Sequence, residues 1–366
     1  MPSQILHIMF GEDVITGLYN RLIKERGFRY GLVINKAMER INLEYRSAFI
    51  LGCQGPDIFY HSQRRRPVAV EYGSLLHRRG CGVFTAGLLK MGLPDPPPGE
   101  DGIKSGREKG INAMGVYALG FMTHAVLDRF CHPYIVYRAD RDYHSFFERI
   151  IDVLMLKELR GMDPASWDQE KILADVCENP PLGLKELIAR SLASAFSEKV
   201  NKDRSLALRI DNAFTDCANF YNMTSLAKIK EAVLSAKKGE KTFTRRALFY
   251  IYPENLPSDI DFLNLSRQPW RYPYVPPLGE MPEPDNRSFL DVYQGALKAA
   301  VDALSPCIIQ YLDSGLFPIA AAARSIGNSS LSIQNEHGKP CAPNLTDPLP
   351  LHEVLNQQAK LRGIEN

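Results

Sequence analysis

Apolar residues recur along most of the chain with the period of an α-helix, not with the alternation of a strand. Val14, Ile15, Leu18, Leu22 and Ile23 form one stripe and predict a helix over 12–25, with His7 preceding it. Leu32, Ile34, Ala37, Ile41, Phe49 and Leu51 mark a second helical stretch over 31–52, which Gly52-Cys53-Gln54-Gly55-Pro56-Asp57 breaks. Helical patterning resumes over 71–92. Leu93-Pro94-Asp95-Pro96-Pro97-Pro98-Gly99 then cannot continue a helix, because prolines lack the backbone donor. A central helix is expected over 107–131, ending before Pro133, since proline disfavours helical backbone at the residue before it. Further helices are expected over 142–160, 184–199, 205–222, 224–237, 288–304 (continuing toward Leu316) and 351–361. Strand alternation is nearly absent, so the expected fold class is all-α, a multi-helix bundle.

Two segments change character. Residues 239–286 are rich in proline and aromatics, as in Phe249-Tyr250-Ile251-Tyr252-Pro253 and Pro269-Trp270-Arg271-Tyr272-Pro273, which makes an ordered loop rather than a disordered linker. After Ala323 the chain turns polar. The expected organisation is one helical domain over 1–323, with site-bearing helices in 1–160 and supporting helices in 161–238 and 287–316. Residues 324–366 follow as a polar extension, with 324–350 on the surface.

Composition narrows the field. An apolar fraction of 45% and a charged fraction of 23% are those of an ordinary globular protein. A net charge of +2 supplies no strong field for nucleic acid or acidic membrane. The 7 cysteines lack paired spacing and read as reduced thiols. The chain shows neither a secretory signal nor a membrane-spanning apolar run, and a cytoplasmic location is expected.

The candidate chemistry sits in the first half. His124, Asp128 and His132 follow one another at intervals of four, as do His144 and Glu148. Each step of four turns about 400° around a helix, so these groups share a face. Their neighbours are Ala, Leu, Phe, Met and Val, so that face looks inward. A buried carboxylate or imidazole without a partner costs several kcal/mol by order of magnitude, and a cluster of divalent cations is the simplest shared partner. Mixed imidazole and carboxylate ligands suit zinc or another first-row ion. His7, His77 and Asp57 each admit a bland reading as well: a capping histidine, a solvated helix end beside Arg78-Arg79, and a turn-stabilising aspartate. His61 is read as an exposed neighbour of Arg64-Arg65-Arg66, itself a solvated turn.

The pieces Leu51-Gly52-Cys53-Gln54-Gly55-Pro56-Asp57, His77, His124-Ala125-Val126-Leu127-Asp128-Arg129-Phe130-Cys131-His132-Pro133 and His144-Ser145-Phe146-Phe147-Glu148 resemble the bacterial zinc-dependent phospholipase C family over roughly the first 160 residues. The order of ligand types from His7 to Glu148 matches. That resemblance implies a helical fold with a multinuclear zinc cleft. His77, His124, Asp128 and Asp57 would surround one zinc, Asp128 would bridge to a second that His7 also binds, and His132, His144 and Glu148 would hold a third. It also implies Asp57 as general base for an attacking water. In the secreted family members an N-terminal tryptophan completes one site. Here the tryptophans are Trp167 and Trp270, so two or three ions are implied.

The expected function is phosphodiester hydrolysis by metal-bound hydroxide, on a phospholipid or small phosphodiester. A related single-strand nuclease or nucleotidase would use the same centre, with Trp270-Arg271-Tyr272 as a stacking spot. In a third reading the metals only staple the helices. The aromatic segment 249–276 either walls the cleft or packs over the helices.

Overall fold

The computed structural model describes residues 4–27, 35, 38–93, 112–139, 142–167, 169–224, 228–229, 231, 245–273, 283–332 and 346–364. Expectations for residues 31–34, 36–37, 107–111 and most of 224–237 lie outside them. The fold is all-α: the one described sheet is a two-residue pairing of β1 (Trp270–Arg271) with β2 (Pro284–Asp285). No described helix is long and apolar enough to cross a membrane.

Helix α1 (Gln4–Arg26) starts well before residue 12 and carries His7 within it. The reason is a buried cap from far along the chain. Asp152 accepts hydrogen bonds from the Gln4 and Leu6 amides at 3.1 and 2.7 Å, satisfying donors that a helix N-terminus leaves open. The stretch expected over 31–52 is a π-helical turn over Arg40–Glu44 followed by α2 (Arg46–Cys53) and a 3₁₀ turn over Gly55–Phe59. The helix expected over 71–92 divides into α3 (Val70–Arg78) and α4 (Cys81–Gly92), because Arg79 is extended and Gly80 left-handed.

Helix α5 (Ala113–Arg138) is the axis of the molecule, and most of its side chains are buried. It does not stop at Pro133. An internal proline costs about 3 kcal/mol, but Tyr134 and Ile135 beyond it are both buried, each stabilising by roughly 1.5–3 kcal/mol, and continuation wins. Gly52 of α2 and Gly120 of α5 face each other. A Cβ on either would overlap the backbone of the opposite helix, at the Tyr117 and Phe49 carbonyls respectively. The two helices therefore meet main chain to main chain, which brings the turn after α2 against the His124 ring.

Helix α6 (His144–Arg160) follows. The helix α7 (Glu170–Glu178) was not expected; its amphipathic stripe is only nine residues long. Helices α8 (Leu184–Ala195), α9 (Ser197–Lys202) and α10 (Leu206–Thr224) complete the middle of the chain. Trp270 is buried against Tyr134, with ring centroids 5.5 Å apart, and donates its indole N–H to the Arg287 carbonyl. Phe249 stacks on Tyr143 at 5.8 Å. These two aromatics pack over the helices.

Helix α11 (Phe289–Ser314) opens with a capping box at Ser288 and Asp291. Beyond it most described residues of 324–332 and 346–350 are exposed or half-buried, with Ile326 and Leu331 as buried anchors. Helix α12 (Ile319–Ile326) buries Ala322 and Ile326, Leu331 is fully buried, and α13 (Leu351–Leu361) buries Leu351, Val354 and Leu355. Sparse apolar residues in polar surroundings suffice there because each enters the existing core. Cys53, Cys81, Cys131, Cys177, Cys217 and Cys307 are free and buried.

Candidate metal centre

Five separate pieces of chain supply the centre. His7 comes from the second turn of α1, Asp57 from the 3₁₀ turn after α2, and His77 from the end of α3. His124, Asp128 and His132 come from α5, and His144 and Glu148 from the first turns of α6. All eight residues are buried except His144, which is half-buried.

Asp128 lies at the middle. Its Oδ1 is 3.2 Å from His7 Nε2. Its Oδ2 is 3.1 Å from His124 Nε2 and 3.4 Å from His77 Nε2. Asp57 Oδ1 is 3.1 Å from His77 Nε2, and its Oδ2 is 3.7 Å from His124 Nε2. On the other side of the centre, Glu148 Oε1 is 3.1 Å from His144 Nε2 and 3.6 Å from His132 Nε2. The His7 and His124 rings stack at 4.1 Å, and those of His132 and His144 at 5.5 Å.

These atoms form three groups, His7–His124–Asp128, Asp57–His77–His124 and His132–His144–Glu148, each with its ligand atoms within 4.8 Å of one another. Atoms bonded to one zinc at about 2.0–2.2 Å stand roughly 3–4 Å apart, and the separations above fall in that range. A second observation fits an ion better than direct hydrogen bonding. Asp57 Oδ2, Asp128 Oδ2 and His124 Nε2 are buried with no hydrogen-bond partner among the described residues, although His124 Nε2 and Asp128 Oδ2 are neighbours. They are close without bonding geometry, as ligands of a common cation are.

The outer partners fix the rings. His77 Nδ1 lies 2.8 Å from the Gly73 carbonyl, His124 Nδ1 3.1 Å from the Cys53 carbonyl, and His132 Nδ1 3.0 Å from the Leu331 carbonyl. A carbonyl only accepts, so each Nδ1 carries the hydrogen and each Nε2 faces the centre with its lone pair. Gly55, at φ 54°, sits directly on the His124 ring; any side chain there would overlap the imidazole.

The electrostatics follow from burial and proximity. Burial lowers the pKa of His124. For His132 burial acts the same way, but Asp128 and Glu148 outweigh it and bring the imidazole up to about 9. Burial would raise the Asp128 carboxyl, yet His124 and His132 hold it well below the usual carboxylate range. Burial likewise opposes the ionised form of Glu148, and the neighbouring His144 reverses that.

His61 is not exposed, contrary to expectation. It is buried against Phe220 at 4.2 Å, with neither ring nitrogen hydrogen-bonded among the described residues, and burial takes its pKa down to about 3. Of the arginine run beside it, Arg65 binds the Asp216 carboxylate at 2.8 Å. The outer partner that sequence reasoning missed is the carbonyl of Leu331, and a main-chain acceptor leaves no signature in residue type.

The fold and this cluster define a metal-dependent class. A family model for zinc dependent phospholipase C matches residues 7–202, and the chain belongs to that family. Comparison with curated proteins and with solved structures gives no match.

Proposed function

We propose that the protein hydrolyses a phosphodiester, with a phospholipid as the first candidate substrate, at a centre of two or three zinc ions. The carrying observation is Asp128, whose two oxygens reach His7 on one side and His77 and His124 on the other. A carboxylate so placed could hold two ions, one beside His7 and one beside His77 and His124. Bound zinc lowers the pKa of a coordinated water to about 7 and stabilises charge building on phosphoryl oxygens.

The side chains divide the remaining work. His7, His77, His124, His132 and His144 would offer Nε2 to the ions, and Asp128 and Glu148 would supply the compensating negative charge. Asp57 Oδ1 faces His77, while Oδ2 has no hydrogen-bond partner among the described residues. In this reading one Asp57 oxygen would hold an ion and the other would take a proton from an attacking water, as general base.

The nuclease reading finds less support. Trp270 is buried between Tyr134 and Tyr137, so the Trp270-Arg271-Tyr272 run lacks the open indole face that base stacking needs.

The test is hydrolysis of phosphatidylcholine, a chromogenic phosphodiester and single-stranded DNA by zinc-loaded protein, with and without chelator. Chelator-sensitive cleavage of the phospholipid supports the proposal. Cleavage of DNA alone favours the nuclease, and zinc uptake without turnover of any substrate leaves a structural centre.

A further inference from the structure

The segment 326–332 lies outside the part of the chain that defines the family, yet it reaches the metal centre. Leu331 makes two main-chain hydrogen bonds there. Its N–H donates to the carbonyl of His77 at 2.8 Å, and its carbonyl accepts from His132 Nδ1 at 3.0 Å. His77 belongs to one ligand group and His132 to another, so one residue touches both. The Ser330 hydroxyl adds a second hydrogen bond to the His77 carbonyl at 2.9 Å.

The segment is held in place from several sides. Arg129, next to Asp128 on α5, donates to the Ile326 carbonyl and, at 3.4 Å, to the Ser329 carbonyl. The Asn328 side chain accepts from the Val83 amide in the first turn of α4 at 3.0 Å. Gly82 leaves room for the chain to pass, since a Cβ there would stand 2.6 Å from the Ala323 carbonyl and 2.9 Å from the Gly327 carbonyl. The Leu331 side chain is itself fully buried, which fixes the position of its peptide groups.

We infer that Leu331 is a positioning residue: its main chain sets which nitrogen of His132 meets the metal and ties the His132 group to the His77 group, with Arg129 and Asn328 as its anchors. The inference rests on the metal-centre reading. His132 has a competing acceptor for the same hydrogen, because Asp128 Oδ2 lies 3.6 Å from its Nδ1. The shorter bond to Leu331 decides in favour of the carbonyl, leaving Asp128 to the ions. Without the segment, His132 can turn its Nδ1 toward Asp128, and the His132–His144–Glu148 group loses a ligand of fixed orientation. Outer partners of this kind are worth roughly 10–100-fold in metal affinity.

The test uses full-length protein loaded with zinc and nitrogen-15-labelled histidine. In the wild type, imidazole spectra should show the His132 hydrogen on Nδ1 and zinc on Nε2; zinc on Nδ1 overturns the inference whether or not any variant folds. In the double variant Arg129→Met, Asn328→Ala, competition with a chromophoric chelator should show one ion bound at least ten-fold more weakly, and the His132 Nδ1–H signal should be lost or shifted. A lower melting temperature with ring signal and zinc affinity both unmoved means the segment only stabilises the fold, and overturns the inference. Weaker zinc with an unmoved ring signal does the same. Wild-type protein that takes up no zinc defeats the metal-centre reading itself, an outcome distinct from normal uptake with an unaffected variant.

Discussion

His7 Nε2 lies 3.2 Å from Asp128 Oδ1. The first helix of the chain thereby meets the middle of the central one through two buried ionisable side chains. Neither group would tolerate that burial without a partner.

Asp128→Ala should therefore lose more than one metal ligand's worth of function. Its oxygens lie within 3.6 Å of four imidazoles, those of His7, His77, His124 and His132. Zinc per chain should fall, and hydrolysis should drop by on the order of 10²–10³ or more, the cost of removing one electrostatic stabiliser. Elemental analysis beside the kinetic assay checks it; a full zinc complement in the variant rules out the bridging role.

Glu148→Gln isolates the other side of the centre. Glu148 faces His132 and His144 and shares one candidate ligand group with them, so zinc content should fall by one ion while far-ultraviolet circular dichroism keeps the helical signal. Unchanged stoichiometry counts against Glu148 as a ligand.

Gly120→Ala tests the close approach of α2 and α5. The added methyl would stand 2.5 Å from the Phe49 carbonyl, a backbone atom that cannot swing aside. Overpacking of this kind costs about 1–3 kcal/mol. The denaturation midpoint should drop, and zinc affinity with it, because the α2–α5 contact sets the spacing of Asp57 and His124. A variant of wild-type stability shows that the helices can separate freely.

His61 gives a pH signature. Its pKa falls from an ordinary 6.5 to about 3 because it is buried. A depressed folded pKa means that this contribution to stability is whole above pH 6.5 and is lost as pH falls toward 3. At pH 5 the difference is 1.5 units, roughly 2 kcal/mol at about 1.36 kcal/mol per unit. His61→Phe should therefore gain stability relative to wild type between pH 7 and 5. A stability difference independent of pH would mean that the imidazole titrates alike in the folded and unfolded chain, and would contradict the effect of burial.

The sequence made the helical class and the clustering of the candidate ligands on α5 and α6 legible because both rest on periodicity. Intervals of four on an inward face mark His124, Asp128 and His132 on any helix. Convergence from a distance was legible only through family resemblance; nothing in the residues near His7 says that Asp128 lies beside it. Pro133 misled because tertiary burial of Tyr134 and Ile135 outweighs a local cost. The start of α1 was misplaced because Asp152, far along the chain, supplies the cap. Leu331 was invisible because its role belongs to the peptide group, and His61 because burial depends on Phe220 of another helix.

The most direct measurement is anomalous scattering at the zinc edge from crystals of the zinc-loaded protein. Peaks are predicted within about 2.0–2.2 Å of His7 Nε2 and Asp128, of Asp57, His77 and His124, and of His132, His144 and Glu148. The absence of any peak touching Asp128 would contradict a shared centre and the hydrolase built on it.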